Sequence, residues 1–409
     1  MAYFELDETQ TGSDGARIKV IGIGGAGCNA INNMISSGLE GVEFIAANTD
    51  MQALDANLSD LKLQIGSNLT KGLGAGSNPE VGRKAALEDI SRLGEVLAGS
   101  DMVFVTAGMG GGTGTGASPI VAQVSREIGA LTVGVVTKPF DFEGRKRHRN
   151  AEDGLLTLAQ EVDTIISVPN QKLLDVTDKD LTMDEAFSMA DEVLLNAVRG
   201  ISDIINMSGG INVDFADVRT VMTHHGQAIM GDGTASGEDR AIVAAEAAIN
   251  HPLLDEISIN GAMAVLVNIT SGSDLKLQEV HEAVNLIEES TDEDSLIIFG
   301  WVKNEDYADQ VKVTVIATGF PIGGCSQRLV DPATARRSTP RQSGAYLPME
   351  RPSAISTAPQ TQQRRTTEPP VTTTGSVGIR ASAAESVNED ELDIPAYIRT
   401  PAKDSQQRR

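Results

Sequence analysis

Residues 108–116 (GMGGGTGTG) place six glycines among nine positions, between two segments of opposite character. The preceding residues 101–107 (DMVFVTA) have the composition of a buried strand, and residues 118–127 have helical spacing. Each glycine loses extra backbone entropy on folding, so this strand–loop–helix unit needs a compensating interaction. Converging backbone N–H groups and a helix N-terminus bind anions. The segment therefore favours phosphate binding over a flexible surface loop.

A second glycine pattern lies near the start of the chain. Residues 17–21 (RIKVI) predict a strand, and Gly22, Gly24 and Gly27 follow it as G-x-G-x-x-G. Together with Asp50 near the end of the next strand, this pattern also fits a dinucleotide oxidoreductase. A single pyrophosphate needs one such loop, whereas a triphosphate can occupy two. No G-K-[ST] triplet of a Walker A site is present, so the two loops favour a nucleoside triphosphate site of another kind.

Strands and helices alternate through the first 170 or so residues. This order predicts a Rossmann-like, doubly wound parallel sheet, in which ligands bind at the carboxyl ends of the strands. Because each glycine loop follows a strand, the loops gather at one edge. The predicted strands cover residues 17–21, 42–47, 101–107, 131–137 and 164–168, and the predicted helices cover residues 29–37, 80–97 (with Asn78 as cap and Pro79 at the first position), 118–127 and 182–206.

The long helix predicted over residues 182–206 has a wide apolar stripe, as expected for a helix buried between two domains. Phe187 and Asp191 lie four residues apart and share one of its faces. A ring stacked on a base and a carboxylate that accepts from guanine donors would favour GTP over ATP. The alternative is an ordinary solvated acid, and the pattern alone does not separate the two.

Residues 212–219 (NVDFADVR) follow this helix as an acidic loop. Asp214 is a good N-cap and Asp217 lies in the first turn, where negative charge favours the helix dipole. Together with Asn212, the two carboxylates also suit a role in polarising water for attack on a phosphoryl group. A helix of about 24 residues is about 36 Å long, so this loop can hardly reach the phosphates of its own subunit.

The remainder predicts a second, α+β domain with a small mixed sheet, then a polar linker and a short recognition peptide. The sheet would use strands near 262–269, 295–302 and 311–318, with helices over 238–249 and 275–289. The linker is rich in Thr, Ser, Gln, Pro and Arg and cannot form a core. The apolar residues of the peptide suit folding on a partner: Leu392, Ile394, Pro395, Tyr397 and Ile398.

These features divide the chain into six predicted segments. They are a disordered N-terminal segment (1–16), a nucleotide-binding domain (17–177), a central helix (178–208), an α+β domain that begins with the acidic loop (209–320), a disordered linker (321–388) and the recognition peptide (389–409).

Composition narrows the class of protein. Asp and Glu number 57 against 33 Lys and Arg, and a net charge of −24 argues against nucleic acid or direct membrane contact. Cys28 and Cys325 form no zinc or redox pattern, and the adjacent His224 and His225 face different ways, so no metal site is predicted. The N-terminal residues lack the apolar core of a signal peptide, and no apolar run reaches transmembrane length. A reduced, cytoplasmic protein is the resulting expectation.

The string GGGTGTG resembles the signature of the tubulin-like GTPases, and its surroundings resemble the FtsZ branch of that family from about Arg17 to Phe320 and again near the C-terminus. The resemblance implies a GTPase that binds GTP and GDP, with Mg²⁺ held mainly through phosphates and water. It also implies head-to-tail polymerisation into filaments of the cytokinetic (Z) ring at midcell, with GTP hydrolysed at the subunit junction. The alternatives are a dinucleotide oxidoreductase and a filament protein that binds GTP without turnover.

The resemblance also implies roles for individual residues. Asn212, Asp214 and Asp217 would act catalytically on the nucleotide of the next subunit, and residues 72–79 would lie near the γ-phosphate. The C-terminal peptide would dock onto membrane-anchored division adaptors such as FtsA or ZipA. The nucleotide-binding residues would be Gly24, Gly25, Ala26, Gly27, Cys28, Asn29, Gly108, Gly110, Gly111, Gly112, Thr113, Gly114, Glu143 (ribose), Arg147, Asn170 (sugar or base), Phe187 and Asp191. Ala26 and Cys28 stand where many relatives have glycine, and a thiol beside the nucleotide raises the question of redox sensitivity.

Overall fold

The computed structural model describes residues 15–176, 182–207, 210–254 and 259–321. Apart from residues 15, 16 and 321, three predicted segments lie outside these ranges: the N-terminal segment, the linker and the recognition peptide with its five apolar residues. The strands are β1 (Ile18–Ile23), β2 (Val42–Asn48), β3 (Leu61–Gln64), β4 (Met102–Gly108), β5 (Leu131–Lys138), β6 (Thr164–Pro169), β7 (Gly226–Ser236), β8 (Ala264–Ser271), β9 (Leu296–Lys303) and β10 (Gln310–Phe320).

The helices connect these strands and cover both faces of the sheet. They are α1 (Gly24–Ser36), α2 (Met51–Asp55), α3 (Ser67–Thr70), α4 (Pro79–Glu88), α5 (Ile90–Leu97), α6 (Thr113–Glu127), α7 (Arg145–Glu161), α8 (Asn170–Val176), α9 (Met183–Asn206), α10 (Phe215–Met222), α11 (Arg240–Ile249) and α12 (Leu277–Glu289). Single 3-10 turns cover Asp141–Glu143, Pro252–Leu254 and Glu305–Tyr307. Within the described ranges, none of the helices is both long and apolar enough to cross a membrane.

The first six strands form the predicted doubly wound parallel sheet, in the order β3-β2-β1-β4-β5-β6. The strand order reverses between β1 and β4, which pair from Ile18 with Met102 to Ile23 with Ala107. In sheets of this type, ligands bind in the crevice outside the carboxyl ends of the strands at the point of reversal. The topology therefore puts both glycine loops, which follow β1 and β4, at the expected binding position.

Alternate residues of the buried strands serve two cores. In β4, Met102 and Phe104 join a core with α1 and α9, whereas Val103 and Val105 join a second core with α4, α5, α6 and α7. This alternation follows from the period of two in a strand. Both faces of the parallel sheet are thereby covered by helices, as the near-continuous apolar runs of its strands require.

The second half confirms the predicted mixed sheet but adds a strand that the sequence did not reveal. Strand β7 pairs in parallel with β6 over three residue pairs and antiparallel with β10, so all ten strands form one continuous sheet. Glycine in a strand weakens the sequence signal. Here Gly233 has a packing role, because a Cβ at this position would lie 2.2 Å from the Ala244 carbonyl oxygen of α11.

One predicted helix, over residues 80–97, is two helices. Asn78 caps α4 through the N–H of Glu80 (3.1 Å) and Pro79 opens it, as predicted. The helix ends at Asp89, whose carboxylate accepts from the N–H of Gly66 (2.7 Å) and pairs with Arg92 (3.0 Å). This long-range contact fixes Asp89 outside helical geometry and divides α4 from α5.

The central helix α9 is confirmed at 24 residues. Thr182 and Glu185 form a capping box at its start, and the predicted stripe is buried, including Ala190, Leu194 and Ile201. At its far end, Asn206 donates to the carbonyl of Gly41, just before β2 begins. Because β2 begins at the amino-terminal edge of the parallel sheet, α9 ends at that edge.

Candidate active site

Both helices at the sheet reversal begin inside their glycine segments. Helix α1 starts at Gly24 and α6 at Thr113, five residues earlier in each case than the sequence predicted. The prediction was wrong because local propensity disfavours glycine in a helix, whereas tertiary packing requires it here. A Cβ at Gly116 would lie 1.9 Å from the Pro79 carbonyl oxygen, so only glycine lets α6 approach α4. Pro119 consequently lies inside α6.

The glycines of the two loops fall into two groups. One group holds the loops together, because a Cβ would lie less than 3.0 Å from an atom of a neighbouring segment: Gly24, Gly27, Gly108, Gly110, Gly112 and Gly114. The other group faces open space. No atom lies within 4 Å of a Cβ at Gly25, and Arg147 Nη2 alone lies at 4.0 Å for Gly111. Gly25 is exposed and Gly111 is partly exposed, and phosphate oxygens would approach the backbone there.

Residues 72–79 form a third wall of this crevice. A Cβ on Gly112 would lie 2.0 Å from the Gly76 carbonyl oxygen. The signature loop, residues 108–116, therefore packs directly on this segment. Asp50 bridges to Leu73, and the Thr49 hydroxyl lies 2.7 Å from that of Thr113. Sequence reasoning missed Thr49 altogether, because its contact with Thr113 spans 64 residues of chain.

Cys28 was predicted to contact the nucleotide, but its side chain points into the protein. It packs with Ala46 and Leu54 and is 2% exposed. Burial raises the pKa of the thiol to about 11, despite a hydrogen bond from Asn48. A thiol that is buried and protonated is inert. The structure therefore places only the backbone of Cys28 near the nucleotide loop, beside the exposed Ala26 and Asn29.

Glu143 and Arg147 are ion-paired with each other at the start of α7. Glu143 also accepts from the N–H of Phe140 (3.0 Å), which fixes the turn after β5. The Arg147 backbone packs against Gly110, where a Cβ would lie 2.7 Å from the Arg147 carbonyl oxygen. The pair thus stands beside the signature loop, and its contacts with ribose and nucleotide stay predictions.

A third group lies where β5 and β6 end and α9 begins. Phe187 is 40% exposed and meets the Phe140 ring edge-on at 5.3 Å between centroids. Burial raises the pKa of Asp191 to about 7. Asn170 is 4% exposed, and its side-chain oxygen has no hydrogen-bond partner within the described residues. Buried polar groups are normally satisfied, so an unpaired amide oxygen and a desolvated carboxylate here fit a polar ligand.

The acidic loop lies at the opposite edge of the parallel sheet. Helix α10 contacts the amino ends of β5 and β6. The Thr164 hydroxyl donates to the Met222 carbonyl, and Arg219 shares a cavity of about 180 Å³ with Leu131 and Asp163. Asp214 caps α10 through the N–H of Ala216 (3.4 Å), which confirms the capping role.

The carboxylates of the acidic loop therefore lie at the edge of the sheet opposite the glycine loops of their own chain. Asp214 and Asp217 are exposed, and so is Asn212. The structure brings together the glycine loops, Glu143, Arg147, Asn170, Phe187 and Asp191 at one edge, and it separates the acidic loop from all of them. In the described ranges, no group of three or more His, Cys, Asp or Glu side chains is arranged to hold a metal ion.

Two glycine loops at a sheet reversal, a desolvated carboxylate on a long central helix and a remote acidic loop define a tubulin-like nucleotide-binding protein. Residues 17–178 match the GTPase domain of the Tubulin/FtsZ family, and residues 226–321 match the C-terminal domain of the FtsZ family. The chain belongs to the FtsZ family. It is a tubulin-like GTPase that binds guanine nucleotide, self-associates into filaments and serves at the division site.

Similar proteins cover nearly the whole chain. The cell division protein FtsZ of Pseudomonas aeruginosa is 50% identical over 394 residues, which is 95% of this chain and 97% of that protein. The FtsZ of Azotobacter vinelandii is 49% identical over 390 residues, again 95% and 97%. An empty FtsZ dimer from M. jannaschii has a TM-score of 0.71 at 44% identity, over 74% of this chain and 88% of that chain. CetZ2 from Haloferax volcanii, at 21% identity and a TM-score of 0.65 (74% and 93% covered), shares the fold.

Proposed function

We propose that this GTPase polymerises head to tail and that the acidic loop of one copy completes the nucleotide site of the next. The observation that carries the proposal is the position of Asp214 and Asp217 at the sheet edge opposite the glycine loops. The helix between the two edges is 24 residues long, about 36 Å. No side chain spans that distance, so hydrolysis by these carboxylates requires a second copy.

A contact between unlike edges does not close on itself and generates a filament. In that filament, Asn212, Asp214 and Asp217 would face the terminal phosphate bound by the copy below. Their carboxylates would polarise and orient the attacking water, a contribution of about 10²–10⁴-fold in rate. The capping bond of Asp214 fits this role, because it fixes one carboxylate oxygen and leaves the other exposed.

The base subsite would select guanine. Asp191 would accept from the ring N–H and the exocyclic amino group, Phe187 would stack on the base, and the unpaired Asn170 oxygen would accept from the base or sugar. Glu143 would bind the ribose while Arg147 holds the nucleotide. Adenine presents an acceptor where guanine presents the ring N–H, so the carboxylate at Asp191 disfavours ATP.

Mg²⁺ would be held mainly by phosphate oxygens and water. The crevice at the sheet reversal presents backbone N–H groups and the Thr113 hydroxyl rather than a set of carboxylates, and Mg²⁺ commonly keeps several waters in such sites. When bound, the ion would supply positive charge to the phosphate oxygens. The chain's own groups orient the triphosphate between the signature loop, the first glycine loop and residues 72–79.

The filament would form the Z ring at midcell in the cytoplasm. The domain boundaries of each copy would fall after residues 16, 177, 208, 320 and 388. The recognition peptide would bind membrane-anchored division adaptors such as FtsA or ZipA through Leu392, Ile394, Pro395, Tyr397 and Ile398. The net charge of −24 disfavours direct contact with anionic lipid, so this tether would link the filament to the membrane indirectly.

Phosphate release from GTP, measured against protein concentration, tests the junction. We expect almost no release below a threshold concentration and a linear rise above it, with no release from ATP. Asp214→Asn and Asp217→Asn should each lower release at least about 10²-fold while the affinity of the monomer for GTP stays unchanged. Glu95→Gln removes an exposed acid on α5 and serves as the control. A rate proportional to protein from the lowest concentration would place the whole site in one copy.

A further inference from the structure

Thr49 joins two of the three loops that surround the candidate phosphate crevice. It follows β2 and is 0% exposed. Its carbonyl accepts from the Thr70 hydroxyl (3.2 Å) and from the N–H of Gly74 (3.3 Å), so its backbone is tied to the segment that includes residues 72–79. Its own N–H donates to the Asn48 side-chain oxygen at 2.8 Å. The backbone of Thr49 is therefore fixed from both sides.

The side chain of Thr49 contacts the signature loop. Its hydroxyl oxygen lies 2.7 Å from the hydroxyl oxygen of Thr113, the first residue of α6. A hydroxyl donates one hydrogen bond and accepts two, so either oxygen of the pair can be the donor. Which one donates decides whether the proton of Thr113 remains available to a ligand.

Burial determines the direction of this bond. Among the described residues, Thr113 is the only hydrogen-bond partner of the Thr49 hydroxyl. If Thr113 donated, the Thr49 proton would be buried without an acceptor, at a cost of about 1–3 kcal/mol. If Thr49 donates, the Thr113 proton is left over, and Thr113 keeps 8% exposure at the N-terminus of α6, beside the open backbone of Gly111, where a ligand can accept that proton. The lower-energy arrangement therefore directs the Thr113 proton toward the crevice.

We propose that Thr49 is a positioning residue that donates to the Thr113 hydroxyl and thereby makes Thr113 a hydrogen-bond donor to a nucleotide phosphate. The inference rests on the proposed contact of Thr113 with the phosphates. Because the Thr49 carbonyl is held by Thr70 and Gly74, a shift of residues 72–79 moves Thr49. The same shift changes the orientation of the Thr113 hydroxyl, so Thr49 couples the two loops.

A double-mutant cycle on the full chain tests this role. The variants are Thr49→Val, Thr113→Val and the double variant, and affinity for a fluorescent GTP analogue is measured below the polymerisation threshold. Thr49→Val keeps the size and branching of the side chain and removes only the hydroxyl. We expect it to weaken binding of the analogue about tenfold. In the Thr113→Val background it should change affinity by less than about twofold, because its partner is gone.

Thr49→Ser keeps the hydroxyl and should restore affinity to within about twofold of the parent chain. Additive effects of the two valine substitutions would overturn the inference, since a packing defect at Thr49 would persist without the Thr113 hydroxyl. Wild-type affinity in Thr49→Val with reduced affinity in Thr113→Val would overturn the role of Thr49 and leave the proposed phosphate contact of Thr113 in place. Wild-type affinity in Thr113→Val would overturn both this inference and the proposed phosphate contact. Thermal unfolding of each variant identifies any loss that arises from misfolding.

Discussion

Asp191 combines a functional position with an unusual protonation state. Its side chain is partly buried, and desolvation raises the pKa of its carboxyl to about 7. Within the described residues, no cation or hydrogen-bond donor pairs with it. A carboxylate that gives up solvation without a partner is held ready for a ligand that brings its own donors, and guanine brings two. Its ionisation should therefore control nucleotide affinity near neutral pH.

We expect affinity for GTP to fall as the pH drops below about 7, approaching tenfold per pH unit. The reason is that guanine needs the ionised carboxylate, whereas the free protein increasingly holds the protonated form. Binding of a fluorescent GTP analogue between pH 6 and 8, below the assembly threshold, measures the slope. Asp191→Asn has no titrating carboxyl at this position and should bind the analogue more weakly at every pH. Its slope reports only the titration of the nucleotide phosphates, which contributes equally to the slope of the parent chain. Equal slopes in both proteins would contradict the assignment.

The same residue should influence folding stability with a definite sign. The folded pKa of Asp191 is raised above the ordinary value, so folding favours its protonated form. The associated stability is fully present below about pH 4 and is lost as the pH rises to about 7. The maximum effect is of the order of a few kcal/mol.

Without nucleotide, Asp191→Asn should therefore gain stability relative to the parent chain between pH 5 and pH 8. Urea unfolding at the two pH values measures this difference. Asp203, whose pKa burial also raises, to about 6, is present in both proteins and cancels in the comparison. A stability difference that does not change with pH would show that Asp191 is not desolvated in the folded chain.

Among the loops and helices around the crevice, the two groups of glycines predict opposite effects of alanine. A Cβ on Gly112 would lie 2.0 Å from the Gly76 carbonyl oxygen, and one on Gly25 would meet nothing within 4 Å. Gly112→Ala should separate the signature loop from residues 72–79 and cost about 1–3 kcal/mol of stability. Gly25→Ala should leave stability within about 0.5 kcal/mol and weaken GTP binding, because its Cβ faces the side where phosphates approach.

Thermal unfolding and GTP affinity of the two variants, measured side by side, test this division. Neither glycine has a positive φ, so backbone strain does not complicate the comparison. Loss of stability in Gly25→Ala, or wild-type stability in Gly112→Ala, would show that the loops pack differently from the structure.

The sequence was sufficient for those elements whose signal is local. The buried strands β1, β4, β5 and β6 are apolar runs bounded by turns, and the amphipathic stripe of α9 is long enough to be unambiguous. Errors occur where tertiary contacts override local preference. Asp89 ends α4 because of a bond to Gly66, and β7 contains Gly233 because α11 packs there.

The candidate site shows the same division. The glycine loops and Asp214 could be found from spacing, because anion loops and helix caps have characteristic patterns. The burial of the Cys28 side chain could not be predicted, because it depends on Ala46 and Leu54, which lie elsewhere in the sequence. The length of α9 predicted that the acidic loop lies far from the phosphates of its own chain. It did not predict at which edge of the sheet the loop lies.

For the whole molecule, the two edges of the parallel sheet are complementary halves of one proposed site. The nucleotide edge holds the glycine loops and Asp191, and the other edge holds Asp214 and Asp217. Helix α9 connects the two, packing at one end near Phe140 and at the other near Gly41. A chain of this design should therefore be inactive alone and active in contact with a second copy.

Mixing two inactive variants tests this arrangement directly. Asp191→Ala impairs the nucleotide edge and keeps the acidic loop, whereas Asp217→Ala keeps the nucleotide edge and removes one carboxylate. Each alone should release phosphate at least about 10²-fold more slowly than the parent chain. A mixture should regain activity, because the intact acidic loop of the first variant can meet the intact nucleotide edge of the second. The double variant Asp191→Ala/Asp217→Ala, mixed with the Asp217→Ala variant, provides the matched control, since no junction in that mixture contains both intact edges. Activity in the control mixture, or none in the first, would show that the two edges do not form one catalytic site.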